Sequence, residues 1–216
     1  MTTLPPPPPF ELRGGRLCLD FVNTVGNHRA GEPREYLTSY GLLVAWAEQA
    51  GALDAETAAE LRVEAARRPD DASCALAEAL ALREALYRIF RSAIGGRPSA
   101  GEDLALLNLH LGRALGRQRL RPGGEGGCYR LVWCDDRALD APLGPVVKSA
   151  AELLTGGELG RVRECDASAW NACGWLFVDE SHRRIRRWCS MSDCGNQAKG
   201  RRRYAREKGA KGAEGG

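Results

Sequence analysis

Aromatic residues make up only 6% of this 216-residue chain, and it has two methionines and three histidines. With so few aromatics, the apolar content is carried by Ala and Leu, which argues against an all-β sandwich and for helices. No stretch approaches the roughly 18 uncharged apolar residues of a membrane span. The first nine residues lack the basic start and apolar run of a secretory signal, so a cytoplasmic protein without a membrane partner is expected. There is no internal repeat. There is also no Cys-x-x-Cys pair, Cys-x-Glu or His-x-Glu, and this removes the signature of the zinc nucleobase deaminases and weakens an enzymatic reading; the expectation is a protein that is not an enzyme.

What is present is ordinary globular material, 44% hydrophobic and 27% charged, with 26 Gly and 11 Pro held mostly in clusters. The net charge of +3 hides an asymmetry: residues 183 to 211 hold 11 Lys or Arg against Asp193 and Glu207, so the remainder of the chain is net acidic. A chain with one strongly basic end carries the charge footprint of a polyanion binder.

Residues 1–12, with the run Pro5 to Pro9, read as an extended Pro-rich leader. A helical domain is expected over 13–160. Leu17, Phe21 and Val25 stand at i, i+4, i+8, with Asp20, Asn23, Thr24 and Asn27 forming a polar stripe. Ser39 caps a run that stops at Gly51, and Asp54 opens a third helix ending near Pro69. The longest helix spans Asp71 to Ile94, with Leu76, Leu80, Leu82, Leu86, Ile89 and Phe90 on a broad face and Gly95-Gly96 at its end. Ser99 and Glu102 have the spacing of a capping box for the next helix. After a Gly-rich turn at 123–127, Cys128 to Cys134 is β-prone, and Pro145 to Leu154 predicts the last helix of the series.

Beyond Gly160 the texture changes. Four of the eight cysteines and three of the five tryptophans fall between 165 and 194, a window too short to bury its own core and so in want of a staple. Cytosolic disulfides are disfavoured, which makes metal binding the leading reading. Cys165, Cys173, Cys189 and Cys194 supply two pairs separated by a loop, as in a closed structural zinc site with one Zn(2+) per chain. His182, inside the basic loop, is the alternative ligand. Cys18 and Cys74 read as core thiols, and Cys128 and Cys134 as too far apart to bridge. Gly174 to Asp179 reads as a strand, and Ser192 or Asp193 can cap a basic helix over about 194–208. Strand, basic loop, Cys pair and helix follow the order of a treble-clef-like finger. The fold class is therefore mainly α: a helical domain, a small zinc finger over 161–209 made of short strands and one basic helix, and a flexible tail over 210–216. Trp175, Phe177 and Trp188 are expected to pack around the metal, with Trp170 more exposed.

Cys173-Gly174-Trp175-Leu176-Phe177-Val178-Asp179, Arg186-Arg187-Trp188-Cys189-Ser190-Met191 and Cys194-Gly195-Asn196-Gln197-Ala198-Lys199 together resemble the CGNR zinc-finger family. Gly15 to Thr24 resembles the opening of the α-helical ABATE domain that precedes this finger, and the resemblance implies a stress-induced transcriptional regulator. The chain departs from the family at two points. Gln197 stands where the motif has Arg, and the seven residues between Cys165 and Cys173 exceed the family's gap, which leaves Cys165 the least constrained ligand.

A site closed by four thiolates has no open position at which to activate water, so its zinc is structural. The basic segment suits phosphate neutralisation: Lys199, Arg202, Arg203 and Arg206 share one helical side, Arg186 and Arg187 lie in the loop, and the Gln197 amide can donate and accept at an adenine edge. Double-stranded DNA is the expected partner. RNA or an acidic protein is the alternative, and a zinc–thiolate redox switch a third reading. Asp20, Asn23, Thr24 and His28 form a candidate pocket for a small-molecule effector. The oligomeric state is open, with a homodimer among the options.

Overall fold

The computed structural model describes residues 9–123, 127–134 and 137–213. The beginning of the Pro-rich leader, residues 124–126 of the Gly-rich turn and residues 214–216 of the tail lie outside the described residues.

The first helix, α1 (Leu17–Val22), is shorter than its apolar spacing predicts. The chain leaves the helix at Asn23, and the Thr24 hydroxyl donates to the Phe21 carbonyl (2.7 Å), the local side-chain bond by which Thr competes with a helix. The expected polar stripe therefore does not form. Instead the chain enters β1 (Val25–Gly26), which pairs antiparallel with β2 (Arg34–Glu35). Ser39 then caps α2 (Tyr40–Gln49) by accepting from the Leu42 N–H, and Asp54 caps α3 (Ala55–Arg67) by accepting from the Thr57 N–H. Pro69 opens the long helix α4 (Pro69–Ile94), where its missing N–H is harmless.

The capping box predicted for α5 (Gly101–Gly116) is not made, because the helix starts at Gly101 with Ala100 as its cap. Glu102 and Asp103 sit in the first turn, where the helix dipole favours acids, and Asp103 is spent on the Arg88 guanidinium at 3.0 Å. A hairpin follows, β3 (Gln118–Pro122) against β4 (Tyr129–Trp133). Its first strand went unforeseen because Gln-Arg-Leu-Arg-Pro carries almost no β-prone residue and is held by its partner alone. Next come α6 (Leu143–Thr155), β5 (Val162–Glu164), the helical turn α7 (Ser168–Asn171), β6 (Leu176–Val178) and the terminal α8 (Asn196–Ala213).

The main core gathers Phe21, Leu43, Trp46, Leu82, Leu86, Phe90, Val146 and Val147 from α1, α2, α4 and α6. Cys18 belongs to it, but Cys74 does not: it faces solvent on the outer side of α4. Val162, Leu176 and Val178 from the antiparallel β5–β6 pair also point into this core. A second, smaller cluster contains Cys165, Ala167, Cys173, Phe177, Cys189 and Cys194. Alternation along β6 thus sends Leu176 and Val178 to one core and Phe177 to the other. The two parts are also tied through the backbone. Asn23 donates to the Leu176 carbonyl (2.8 Å) and accepts from its N–H (2.9 Å), while His28 and Arg29 donate their N–H groups to the carbonyls of Cys173 and Ala172. Among the described residues no helix is long and apolar enough to cross a membrane.

Candidate metal centre

Cys165 follows β5, and Cys173 stands just ahead of β6. The long gap between them is taken up by α7, whose end is turned back by Ala172 (φ 57°) and Gly174 (φ 73°), so all seven intervening residues fit without displacing either sulfur. At position 174 any side chain would fail twice, through its left-handed φ and because a Cβ would stand 2.8 Å from the His28 Cβ. Cys189 and Cys194 flank a tight turn that leads into α8. Its cap is Ser190, whose hydroxyl accepts from the Asp193 N–H, and not Ser192 or Asp193 as expected.

The four sulfurs lie within 4.8 Å of one another. Cys173 to Cys189, Cys189 to Cys194 and Cys194 to Cys173 measure 3.8, 3.7 and 3.8 Å. A tetrahedron of sulfurs around zinc at about 2.3 Å has edges of about 3.8 Å, so the spacing is that of a metal knuckle and not of a disulfide. Protonation chemistry agrees. Cys165 is pulled down by hydrogen bonds from the Cys173 and Cys189 thiols, and those same contacts push Cys173 and Cys189 up. Four thiolates this close need a dication to ionise together. The all-sulfur donor set suits zinc and not calcium or magnesium, and Cys165 through Cys194 hold one structural zinc ion. His182 is exposed and outside the group.

Around the knuckle, Trp170, Trp175 and Trp188 are all half-buried and pack against the cysteine cluster. The Arg186 guanidinium turns inward: it lies 4.3 Å over the Phe177 ring and donates to the carbonyls of Trp188 (3.0 Å) and Cys189 (2.6 Å). Asp179, fully buried, accepts from the N–H groups of Ser181 and Arg186 and fixes the basic loop. Arg187 is exposed, pairs with Asp166 and stacks on Trp188. Both ends of the Gln197 amide are occupied, its nitrogen by Asp193 (2.8 Å) and its oxygen by Asn171 (3.3 Å). Among the α8 residues whose burial is described, only Ala198 is buried; Lys199, Arg202, Arg203 and Arg206 are exposed. Arg201 anchors the helix over the Trp170 ring at 4.9 Å.

The four polar residues expected to share a pocket are separated. Asp20, Asn23 and Thr24 line one cavity of about 340 Å3, whereas His28 lines another of about 270 Å3 with Arg83 and Glu84. His28 is drawn away because its ring stacks on Tyr87, 3.6 Å between centroids, at ion-pair distance from Glu84 but without hydrogen-bond geometry. Between the cavities stands an ion pair that sequence reasoning missed. Arg83, 3% exposed, holds both Glu35 oxygens at 2.7 and 2.6 Å and touches Thr24. The signal lies in the periodicity of α4: Arg83 stands three residues after Leu80 and three before Leu86, a charge on the apolar face of the helix.

Burial pushes the Asp20 carboxyl up to about 6, although the Gly14 N–H donates to it at 2.7 Å. Because the folded value lies above the ordinary 3.8, the native state binds this proton more tightly than the unfolded chain. The charged form is therefore a cost above pH 6 that is relieved as pH falls through 6 toward 4. Asp20→Asn, which keeps an acceptor for Gly14, is expected to stabilise the protein by about 1–3 kcal/mol at pH 7 and to match wild type near pH 4. Urea unfolding at the two pH values measures this, and equal gains at both would contradict it.

Compared with known proteins, residues 15–157 match the ABATE family model, described as "Putative stress-induced transcription regulator", and residues 161–207 match the CGNR zinc finger. No curated protein matches the chain.

Proposed function

Because the chain belongs to the ABATE family and carries a CGNR zinc finger behind that domain, we propose that it is a cytoplasmic, non-enzymatic transcriptional regulator that binds double-stranded DNA through α8, with the helical domain sensing a ligand or mediating association. The observation that carries this reading is the exposed cationic side of α8, where Lys199, Arg202, Arg203 and Arg206 recur at i, i+3, i+4 and i+7. The zinc knuckle gives that helix a rigid base through Ala198, Arg201 and the Gln197 amide. One such side can lie along a groove and meet successive phosphates.

If these four side chains neutralise about four phosphates, log affinity for duplex DNA falls against log salt with a slope of roughly −3 to −4, or about 100-fold between 50 and 200 mM. Replacing Arg202 by Gln lowers the slope by about one unit and weakens all sequences alike, as a positioning contact does. Filter binding or anisotropy over a salt series measures both. Duplex binding no tighter than that of heparin or single-stranded RNA of equal charge would instead favour an RNA or acidic-protein partner.

A further inference from the structure

The cavity beside the metal centre holds one donor without a partner and one carboxylate without an ion pair. Trp46 lies in its wall, is fully buried, and has an indole N–H with no hydrogen-bond partner. A buried donor left unmade is costly. Asp20 is the second. Of the three carboxylates lining the cavity, Glu35 is held by Arg83 and Glu11 by Arg13, while Asp20 has no ion pair among the described residues. The remaining wall is mostly apolar in area and includes the rings of Phe10, Tyr36 and Trp175, with the Arg34 guanidinium laid over the Tyr36 ring at 5.3 Å.

We infer that this cavity binds a small organic ammonium ion with an apolar body and one hydrogen-bond acceptor. The ammonium pairs with the Asp20 carboxylate and is further favoured by the ring faces, which attract cations. The acceptor takes the Trp46 N–H. An anionic ligand would gain Arg34 but would also meet the Asp20 carboxylate, which has no ion pair among the described residues, and leave it uncompensated.

Trp175 ties the cavity to the zinc. Its ring lines the cavity and packs against the knuckle cluster, its indole N–H donates to the Val25 carbonyl (2.7 Å), and its own carbonyl accepts from the Cys165 N–H (2.9 Å). A ligand against Trp175 thus presses on the backbone that holds a zinc ligand. At the other side, Phe10 is clipped to Gln49 by two hydrogen bonds of 2.7 Å, so the strap over the cavity is itself held to α2.

This inference deepens the sensing role proposed above and is tested without DNA, so the failure of one reading leaves the other standing. The zinc-loaded full chain is titrated with tyramine, whose phenol oxygen supplies the acceptor, and, in parallel, with its neutral counterpart 2-(4-hydroxyphenyl)ethanol, by calorimetry and tryptophan emission. Saturable amine binding that shifts the emission is expected, with the alcohol about tenfold weaker or more, the loss of one charge-assisted hydrogen bond. Asp20→Asn should bring the amine down to the level of the alcohol. Trp46→Phe should weaken the amine while circular dichroism and zinc content remain those of the wild type. Absence of saturable amine binding, equal affinity for the alcohol, or an Asp20→Asn variant that binds like wild type would overturn the assignment.

Discussion

Cys189→Ser is expected to reduce bound zinc from about one per chain to almost none and to unfold the knuckle from Arg186 through α8. Cys189 stands 3.8 and 3.7 Å from the sulfurs of Cys173 and Cys194, its N–H donates to the Cys165 sulfur, and its carbonyl accepts from Arg186. Around that centre the apolar support is Ala167, Phe177 and three half-buried tryptophans, too little to order the segment by burial alone. Structural zinc sites supply about 10–16 kcal/mol of apparent folding free energy at neutral pH. Leu176 and Val178 remain packed in the main core and Asn23 still clasps the Leu176 backbone, so β6 is expected to stay with the helices while the segment beyond it is released. Elemental analysis reads the zinc, and hydrogen exchange locates the lost protection. Tryptophan emission should move to the red, because Trp170, Trp175 and Trp188 all lean on the cluster. Undiminished zinc in the variant would refute the four-thiolate assignment.

Arg83→Met carries the second large effect, about 3–5 kcal/mol of lost stability, because it strands the Glu35 carboxylate in a partly buried site. For a domain whose total stability is about 5–15 kcal/mol, that is about a fifth of the whole or more. The pH dependence identifies the cause. Burial pushes the Glu35 carboxyl up, but the Arg83 hydrogen bonds and charge outweigh it and hold the group below its ordinary 4.5. A depressed folded value contributes stability that is present above about 4.5 and is lost as pH falls through the folded value. In Arg83→Met that acid-side decline should vanish and reverse, since the stranded carboxyl gains by protonation. Adding Glu35→Gln to the variant should recover much of the loss at pH 7. Urea midpoints for the four proteins of this cycle settle the coupling, and additive effects would show that the pair is not coupled.

The elements most legible in the sequence are those whose cause is local. Ser39 and Asp54 cap their helices because a short oxygen-bearing side chain reaches an N–H three residues on, whatever lies elsewhere in the chain. The broad apolar face of α4 follows from its period, and the clustering of cysteines in a coreless segment implied a metal centre because thiolates in that density need a cation. The capping box at Ser99, by contrast, failed where α5 began two residues later and Asp103 found Arg88 across the fold.

The sequence by itself determined the helical class, the basic C-terminal end and the four zinc ligands, since periodicity, charge and sulfur chemistry are properties of residues and their spacing. Only the tertiary structure decided which way each polar side chain faces. Arg186 looks like a surface contact in the sequence, yet its guanidinium donates inside the knuckle, and the exposed Gln197 amide is held by Asp193 and Asn171; Arg83 is a charge on the apolar face of α4, and only the fold brings Glu35 to it. His28 follows Asp20, Asn23 and Thr24 along the chain but lines a different cavity, while Trp175, about 150 residues away, closes theirs. The physical reason is that a hydrogen bond or ion pair is decided by which partner the fold brings within about 3 Å, and residues distant in sequence supply that partner as readily as neighbours do.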